Sequence, residues 1–335
     1  MIKTAIIGLG NIGFQFDLDP LRKNTWSHVG AYMKCRKTRL LGAVEVEKRN
    51  IDLFKQYKKN IPVFSTIKKL MESVEADVVS VCTPTETHYE VLKELLRYSS
   101  LKGIFCEKPF TVTIAEAREI IRLCGERNVI IAVNHTRRWD STYLRARKMI
   151  RDGKIGTVKA VNGFYSGKLF NMGTHLFDTI RMLIDEEAHS VSGFSTNIDA
   201  PDPDLSGWIR FGGNTFCTIL SNGKGEDLIF EIDVIGDEGR VKVIENGEKI
   251  EWFTFKESKR YSGYRELERR TVRLPEKRDR LVNAIYNLCA TIKGENTALN
   301  CSGEDGLEAL VLSSALYDSA KKNGIPVKLE EGYAE

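Results

Sequence analysis

Three glycines near the N-terminus are the first residues that point to chemistry, in Gly8-Leu9-Gly10-Asn11-Ile12-Gly13. They follow an apolar run at residues 3–8 that is predicted to be a strand. At this spacing the first glycine permits a tight turn, the second lets the backbone approach a phosphate, and the third lets the next helix pack on the strand. The start of that helix offers N–H groups to an anion. The segment predicts a dinucleotide site, although a turn without a ligand shows the same pattern.

Glu45 is the second candidate, at the end of an apolar run at residues 39–45. An acidic side chain at this point accepts hydrogen bonds from both hydroxyls of an adenosine ribose. Val46 follows it rather than a basic residue, which favours NAD over NADP. Lys48 and Arg49 leave open that a basic side chain admits a 2′-phosphate, and a solvated glutamate is the alternative interpretation.

The distance from Gly13 to Glu45 exceeds the roughly 20 residues that this pattern usually shows. Residues 15–27 account for the excess, because they are polar and include Pro20. We therefore predict an insertion near the first crossover between strands.

Polar clusters follow three further apolar runs, at residues 78–83, 103–106 and 129–133. A doubly wound sheet binds its ligands beyond these strand ends, so all three clusters are candidates for one site. Each also has a simpler interpretation as a turn, a loop or a solvated face. The clusters are Thr83-Pro84-Thr85-Glu86-Thr87-His88, Cys106-Glu107-Lys108-Pro109 and Asn134-His135-Thr136-Arg137-Arg138-Trp139.

The elements that must position these clusters alternate between strand and helix. Helices are predicted at residues 87–98 and 113–126, the second beginning with a capping box of Thr113 and Glu116. This alternation is typical of a doubly wound parallel sheet. We expect a first domain at residues 1–122.

The second half of the chain has a different pattern, with strand-like segments joined by Gly, Asn and Asp turns, which predicts a mostly antiparallel sheet. We expect a second domain at residues 123–335, with a C-terminal helix that packs back on the first domain. Predicted strands are 157–166, 190–197, 206–211, 215–222, 227–235, 239–245 and 325–329; predicted helices are 139–152, 173–184 and a helical tail at 277–323.

Composition excludes several function classes. The 335 residues are 42% hydrophobic and 29% charged with a net charge of +4, which indicates a globular protein and argues against a nucleic-acid partner. No stretch approaches the ~18 apolar residues of a membrane span, and no secretory leader is evident, so we expect a cytoplasmic protein without a membrane partner. Seven cysteines without a CxxC pair, and no His or Cys cluster, predict no metal site.

The chain resembles the glucose–fructose oxidoreductase / inositol dehydrogenase (Gfo/Idh/MocA) family. The resemblance rests on AIIGLGNIG, VSVCTPTETHYEVLKELL, IFCEKPFT, VNHTRRW, GTHLFD and SGEDGLEAL, in the family's order. It implies an α/β fold: an N-terminal Rossmann doubly wound parallel sheet, then a C-terminal α+β domain with an open-faced, mostly antiparallel sheet. It also implies an NAD-linked enzyme that moves a hydride to or from a sugar, cyclitol or sugar nucleotide, with surface-polysaccharide sugar biosynthesis as one expected role. A homodimer or homotetramer is expected.

The resemblance implies roles for Lys108, His175 and Asn171 in catalysis. In the family the peptide bond from this lysine to the proline, here Lys108 to Pro109, is often cis. The Lys108 ammonium stabilises negative charge on the reacting oxygen. His175 has an ordinary pKa of about 6.5, which suits a proton acceptor or relay. Asn171 stands where many polyol-oxidising members carry Asp; it can touch the substrate or orient His175, but it cannot take a proton.

The remaining candidates complete one cofactor set and one substrate set. The cofactor set is Gly8, Leu9, Gly10, Asn11, Ile12, Gly13, Glu45, Thr83, Pro84, Thr85, His88, Glu107, Lys108 and Arg137; the substrate set is Lys108, His135, Arg138, Trp139, Tyr165, Lys168, Asn171 and His175. Lys168 suits a phosphate or carboxylate, or is simply solvated. His28 stands near a family histidine, but the insertion leaves that correspondence open.

Two other functions stay open at this point. One is a catalytically silent relative that binds NAD as a sensor or regulator. The other is an elimination-type glycosidase in which the cofactor oxidises the sugar only transiently.

Overall fold

The computed structural model describes residues 1–274, 279–295, 298–329 and 333. Two compact units divide the chain, Met1–Trp139 with Asp279–Leu307 and Asp140–Arg278 with Glu308–Glu335. The predicted boundary after residue 122 differs from this division, because the strand at 130–133 pairs within the sheet of the first unit. None of the described helices is both long and apolar enough to cross a bilayer.

The described part of the first unit contains a six-stranded sheet in which every strand pair is parallel. Its strands are β1 (Ile2–Ile7), β2 (Thr38–Val44), β3 (Val63–Phe64), β4 (Val78–Val81), β5 (Gly103–Cys106) and β6 (Ile130–Val133). Their order is β3-β2-β1-β4-β5-β6. The chain order reverses between β1 and β4, and ligands of such sheets bind at that point. Five of the strands were predicted; β3 is too short to show a pattern.

Helices connect these strands and cover the sheet. They are α1 (His28–Lys34), α2 (Lys48–Tyr57), α3 (Ile67–Val74), α4 (His88–Leu95) and α5 (Ile114–Arg127). The predicted capping box at the start of α5 is present, with Thr113 and Glu116 each bonding the other's backbone N–H. The helix α8 (Arg280–Ile292) belongs to the same unit.

The insertion interrupts the first crossover helix. A single helical turn begins at Gly10, whose carbonyl accepts the N–H groups of Phe14 and Gln15. The chain then leaves the helix and returns at His28, whose N–H donates to the Ile12 carbonyl at 3.0 Å. In an unbroken helix the third residue after Gly13 would make this bond. The predicted insertion therefore lies inside the helix that follows the glycines, and His28 occupies that third position.

The second unit contains a nine-stranded sheet with helices α6 (Ser141–Arg151) and α7 (Thr174–Ile184). Among its described strand pairs, only β7–β10 is parallel. The strands are β7 (Val158–Tyr165), β8 (Ala188–Phe194), β9 (Ser206–Phe211), β10 (Phe216–Ser221), β11 (Phe230–Gly236), β12 (Gly239–Ile244), β13 (Lys249–Glu257), β14 (Arg265–Arg270) and β15 (Val327–Lys328). Their order is β14-β13-β12-β11-β7-β10-β9-β8-β15.

Two strands of this sheet, β13 and β14, were not predicted. Both are rich in charged side chains, and β14 alternates between exposed and half-buried residues, so no apolar run marks it. The helical tail contains α8 and α9 (Gly303–Lys321), and the predicted tail residues 277 and 278 lie outside the described residues.

Candidate functional site

The glycine turn after β1 has the geometry of a phosphate site. Gly8 has a φ of +94°, and a Cβ there would lie 2.7 Å from the carbonyl oxygen of Cys82. A Cβ on Gly13 would lie 2.2 Å from the Gly8 carbonyl oxygen, so both positions require glycine. At Gly10, by contrast, a Cβ would meet no described heavy atom within 4 Å. The open side of the turn therefore leaves room for a group that approaches its backbone.

Glu45 lies directly against this turn. Its carboxylate accepts the Leu9 N–H at 2.8 Å and the N–H groups of the two residues that follow it. The Asn50 side chain donates to the same carboxylate at 3.2 Å and accepts a bond from Gln15 at 2.8 Å. The structure thus places an acidic side chain beside the glycine turn, as the ribose interpretation requires. Sequence reasoning missed Asn50 and Gln15, which no motif marks.

A buried hydrogen-bond network surrounds Glu107, the residue between β5 and Lys108. His28 is fully buried, with Nε2 at 2.7 Å from Glu107 Oε1 and Nδ1 at 2.8 Å from Ser80 Oγ. The Tyr32 hydroxyl lies 2.8 Å from the same serine, and the Asn134 amide donates to Glu107. The network joins α1, β4 and the residues after β5 and β6. Ser80 was missed because a serine inside an apolar strand carries no motif.

Glu107 is ionised although it is buried. Burial raises the pKa of its carboxyl, but hydrogen bonds from His28 and Asn134 and the charge of Lys108 lower that pKa below its usual value. The next residue, Lys108, is partly buried and precedes a cis peptide bond to Pro109, as predicted. The residue directly before Lys108 is therefore a negatively charged side chain that is fixed by hydrogen bonds.

His88 connects two of the predicted clusters. It is buried, with Nε2 at 2.9 Å from the Thr83 carbonyl oxygen and Nδ1 at 3.1 Å from the Pro109 carbonyl oxygen. Pro84 and Thr85 lie between them, at the start of a 3-10 turn that leads into α4. The structure thus brings the cluster after β4 and the Lys108 loop together, as the position of both at strand ends implies.

The cluster after β6 is engaged in packing within the first unit. Arg138 forms an ion pair with Asp305 at 2.8 Å and donates to the Asn300 carbonyl. Trp139 is 1% exposed and donates to the side chain of Asn287 at 3.0 Å. The neighbouring His135 and Arg137 are also buried. These contacts account for Arg138 and Trp139 without a ligand, and the predicted ligand roles of the cluster stay predictions.

The substrate candidates of the second unit lie around the start of α7. His175 is the second residue of this helix and is 8% exposed. A π-helical turn, Leu169–Gly173, precedes it, and the exposed Asn171 lies in that turn. Asn171 and His175 therefore occupy successive turns of one helical segment. Such π-helical turns occur frequently at functional sites.

The segment before this turn is tied to the connection between β8 and β9. Tyr165 is buried and donates from its hydroxyl to the Leu205 carbonyl at 2.7 Å, so its substrate role stays a prediction. Lys168 is partly buried at the cap of the turn. Asp202 accepts the N–H groups of Phe170 and Asn171. Sequence reasoning missed Asp202, because a loop aspartate between two prolines carries no signal of this contact.

Comparison with known families covers both units. Residues 2–135 match the model described as the oxidoreductase family, NAD-binding Rossmann fold, and residues 162–329 match that family's C-terminal alpha/beta domain. The chain belongs to this oxidoreductase family. The predicted family, fold class and NAD cofactor are confirmed.

Individual relatives are distant. An uncharacterized oxidoreductase of Schizosaccharomyces pombe is 28% identical, over 53% of this chain and 50% of that protein. The chain thus spans about half the length of the first curated relatives it matches. Inositol 2-dehydrogenase of Rhizobium meliloti is 28% identical over 78% of this chain and 84% of that enzyme. The WlbA dehydrogenase from Bordetella pertussis, solved with NADH and UDP-GlcNAcA, shares the fold: TM-score 0.77, 17% identity and 98% coverage of both chains.

Proposed function

We propose that this protein is an NAD-dependent dehydrogenase or reductase that acts on a hydroxyl or keto carbon of a sugar, cyclitol or sugar nucleotide. The observation that carries the proposal is the Lys108 loop. Its lysine follows the buried, ionised Glu107, and its backbone is bonded to His88 beside the strand end where such sheets bind ligands. The position of Lys108 in this loop, beside the strand ends, supports a role in the chemistry over the alternative of a solvated surface lysine.

The residues of the first unit fit the cofactor. The open side of the turn at Gly10 suits the pyrophosphate, and Glu45 suits the hydroxyls of the adenosine ribose. Nicotinamide, when bound, supplies the hydride acceptor or donor. A 2′-phosphate on that ribose would face the Glu45 carboxylate, which supports a preference for NAD over NADP.

The chain's own residues would handle the charge and the proton. The Lys108 ammonium would stabilise the negative charge that develops on the substrate oxygen as the hydride leaves the adjacent carbon. His175 would accept the hydroxyl proton during oxidation and return it during reduction. Asn171 would donate or accept a hydrogen bond but would not titrate, so proton transfer falls to His175 and Lys108.

The substrate class is supported by two kinds of relative. The Rhizobium meliloti relative is named for inositol, and the WlbA neighbour was solved with a UDP-linked sugar acid. Asn171, in place of an aspartate, favours the sugar-nucleotide side of this range, including a place in surface-polysaccharide synthesis. The expectations of a homodimer or homotetramer and of a cytoplasmic location stay predictions.

Lys108→Ala tests the proposal. We expect turnover to fall by about 10²-fold or more, while NAD affinity measured by calorimetry stays within about threefold. Lys55→Ala removes an exposed lysine of the same unit and serves as the control. Wild-type turnover in the Lys108 variant would contradict the mechanism. Tight NAD binding by the wild type without turnover on a panel of sugars, cyclitols and UDP-sugars would support a sensor instead.

A further inference from the structure

The π-helical turn before α7 receives its N-terminal hydrogen bonds from outside the helix. Three successive backbone N–H groups donate to the connection between β8 and β9. Leu169 donates to the Pro203 carbonyl at 2.8 Å, Phe170 to Asp202 Oδ1 at 2.8 Å, and Asn171 to Asp202 Oδ2 at 3.1 Å. The first N–H groups of a helix have no acceptor within that helix. Asp202 and Pro203 therefore cap this turn from a separate segment.

The connection that carries Asp202 is itself held in place. The side-chain oxygen of Asn197 accepts the Asp204 N–H at 3.0 Å and the Ser195 hydroxyl at 3.1 Å. At its other end the Leu205 carbonyl accepts the hydroxyl of Tyr165. Both ends of the connection are thus bonded, so Asp202 is presented by an ordered support.

A carboxylate suits this position better than a neutral side chain. Each of its two oxygens accepts one N–H group, and such bonds to an ionised acceptor are stronger than neutral ones. Its negative charge also lies at the positive end of a helical segment. The backbone of Asn171 is fixed in this way, while its side chain stays exposed.

We propose that Asp202 is a positioning residue for the reaction. It fixes the turn that presents Asn171 and that begins the helix of His175. The inference rests on the proposed function, because only that function makes these two side chains substrate ligands. Without the carboxylate, two N–H groups lose their acceptor and the turn is free to shift. A displacement of roughly 1 Å at a substrate-positioning group costs up to about 100-fold in rate.

Kinetics on Asp202→Ala and Asp202→Asn give the first test. The substrate is the sugar, cyclitol or UDP-sugar of the panel that the wild type turns over. We expect kcat/KM for that compound to fall about tenfold or more in the alanine variant. NAD affinity, set by the first unit, should be unchanged. The asparagine variant keeps one acceptor oxygen, so its kcat/KM should lie between those of wild type and the alanine variant. It also provides the test if the alanine variant does not fold. Asp199→Ala removes an exposed carboxylate from the same connection and is the matched control.

Amide hydrogen exchange of the peptide that spans residues 169–173 gives a second test that needs no substrate. Exchange there should be faster in Asp202→Ala than in wild type and unchanged in Asp199→Ala. Unchanged exchange, or faster exchange with kcat/KM within twofold of wild type, would overturn the proposal. A wild-type protein without turnover on any substrate would overturn the proposed function, and the positioning role with it; the exchange data would then report on the cap alone.

Discussion

The helices α1 and α7 both begin irregularly, and both receive a carboxylate at that point. In the first unit Asp17, inside the insertion, accepts the N–H groups of Trp26 and Ser27 and the Ser27 hydroxyl, at 2.6, 3.1 and 2.6 Å. In the second unit Asp202 accepts two N–H groups of the π-helical turn. Asp17 lies nine and ten residues from its partners, whereas Asp202 lies more than thirty away.

The two helix starts differ in what they hold. The start of α1 places His28 in a buried network with Glu107 and Ser80. We therefore expect substitutions there to lower the free energy of unfolding. The start of α7 presents the exposed Asn171, so under the proposed function we expect substitutions there to lower activity before they lower stability. One helix start is therefore part of the core, and the other is part of the proposed substrate site.

Glu107→Ala should lower the free energy of unfolding most, because it removes the acceptor that holds His28 at the start of α1. It leaves His28 and the Asn134 amide without their shared acceptor. A buried donor left without an acceptor costs about 1–3 kcal/mol, so we expect a loss of about 3 kcal/mol. Urea unfolding at pH 7 measures this, with the exposed Glu90→Ala as the control. Equal stability of the two variants would show that the buried network contributes nothing.

The same comparison has a pH dependence. Burial raises the pKa of the Glu107 carboxyl, but its hydrogen bonds and the neighbouring charges lower that pKa by more, so the folded-state value lies below the unfolded value of about 4.3. A carboxyl with a lowered pKa stabilises the fold above that unfolded value, and the contribution is lost as the pH falls through the folded-state pKa. The stability gap between wild type and Glu107→Ala should therefore narrow below about pH 4.

Asp17→Ala should have the next largest effect. Removal of the carboxylate takes the acceptor from two N–H groups and a hydroxyl at the point where the insertion rejoins α1, and we expect a loss of about 2 kcal/mol. Asp19→Ala, in the same insertion, removes the acceptor of one N–H group and a partly exposed ion pair with Arg22, and it should cost less, about 1 kcal/mol. Urea unfolding of both variants checks the ranking. If instead Asp17→Ala lowers sugar kcat/KM without loss of stability, the contrast with Asp202 disappears.

Gly13→Ala sharpens the comparison on the cofactor side. Its Cβ would lie 2.2 Å from the Gly8 carbonyl oxygen, so the interrupted helical turn must move away from the strand. We expect NAD to bind about tenfold more weakly, which is about 1.4 kcal/mol. Gly125→Ala, inside α5, meets no described heavy atom within 4 Å and should leave NAD binding unchanged. Calorimetric titration with NAD distinguishes the two variants.

The elements that repeat a local pattern were predictable from the sequence. Five strands of the parallel sheet, the capping box of α5 and the insertion before His28 each leave a signature within a few residues. The short β3 and the charged β14 leave none, because strand pairing rather than local preference defines them. The aromatic residues at 252–255 of β13 were a signal that sequence reasoning missed.

The candidate site divides along the same line. The spacing of Gly8, Gly10 and Gly13 by itself predicted a dinucleotide site, and Glu45 favoured NAD. The resemblance of six short segments to the family implied the roles of Lys108 and His175, because those groups act through their own identity. Only the tertiary structure decided that His28 bonds Glu107, that Trp139 lies in the core, and that Asp202 caps the turn of Asn171. The physical reason is that these contacts join segments far apart in the chain, and a hydrogen bond of that kind leaves no periodic pattern in either partner.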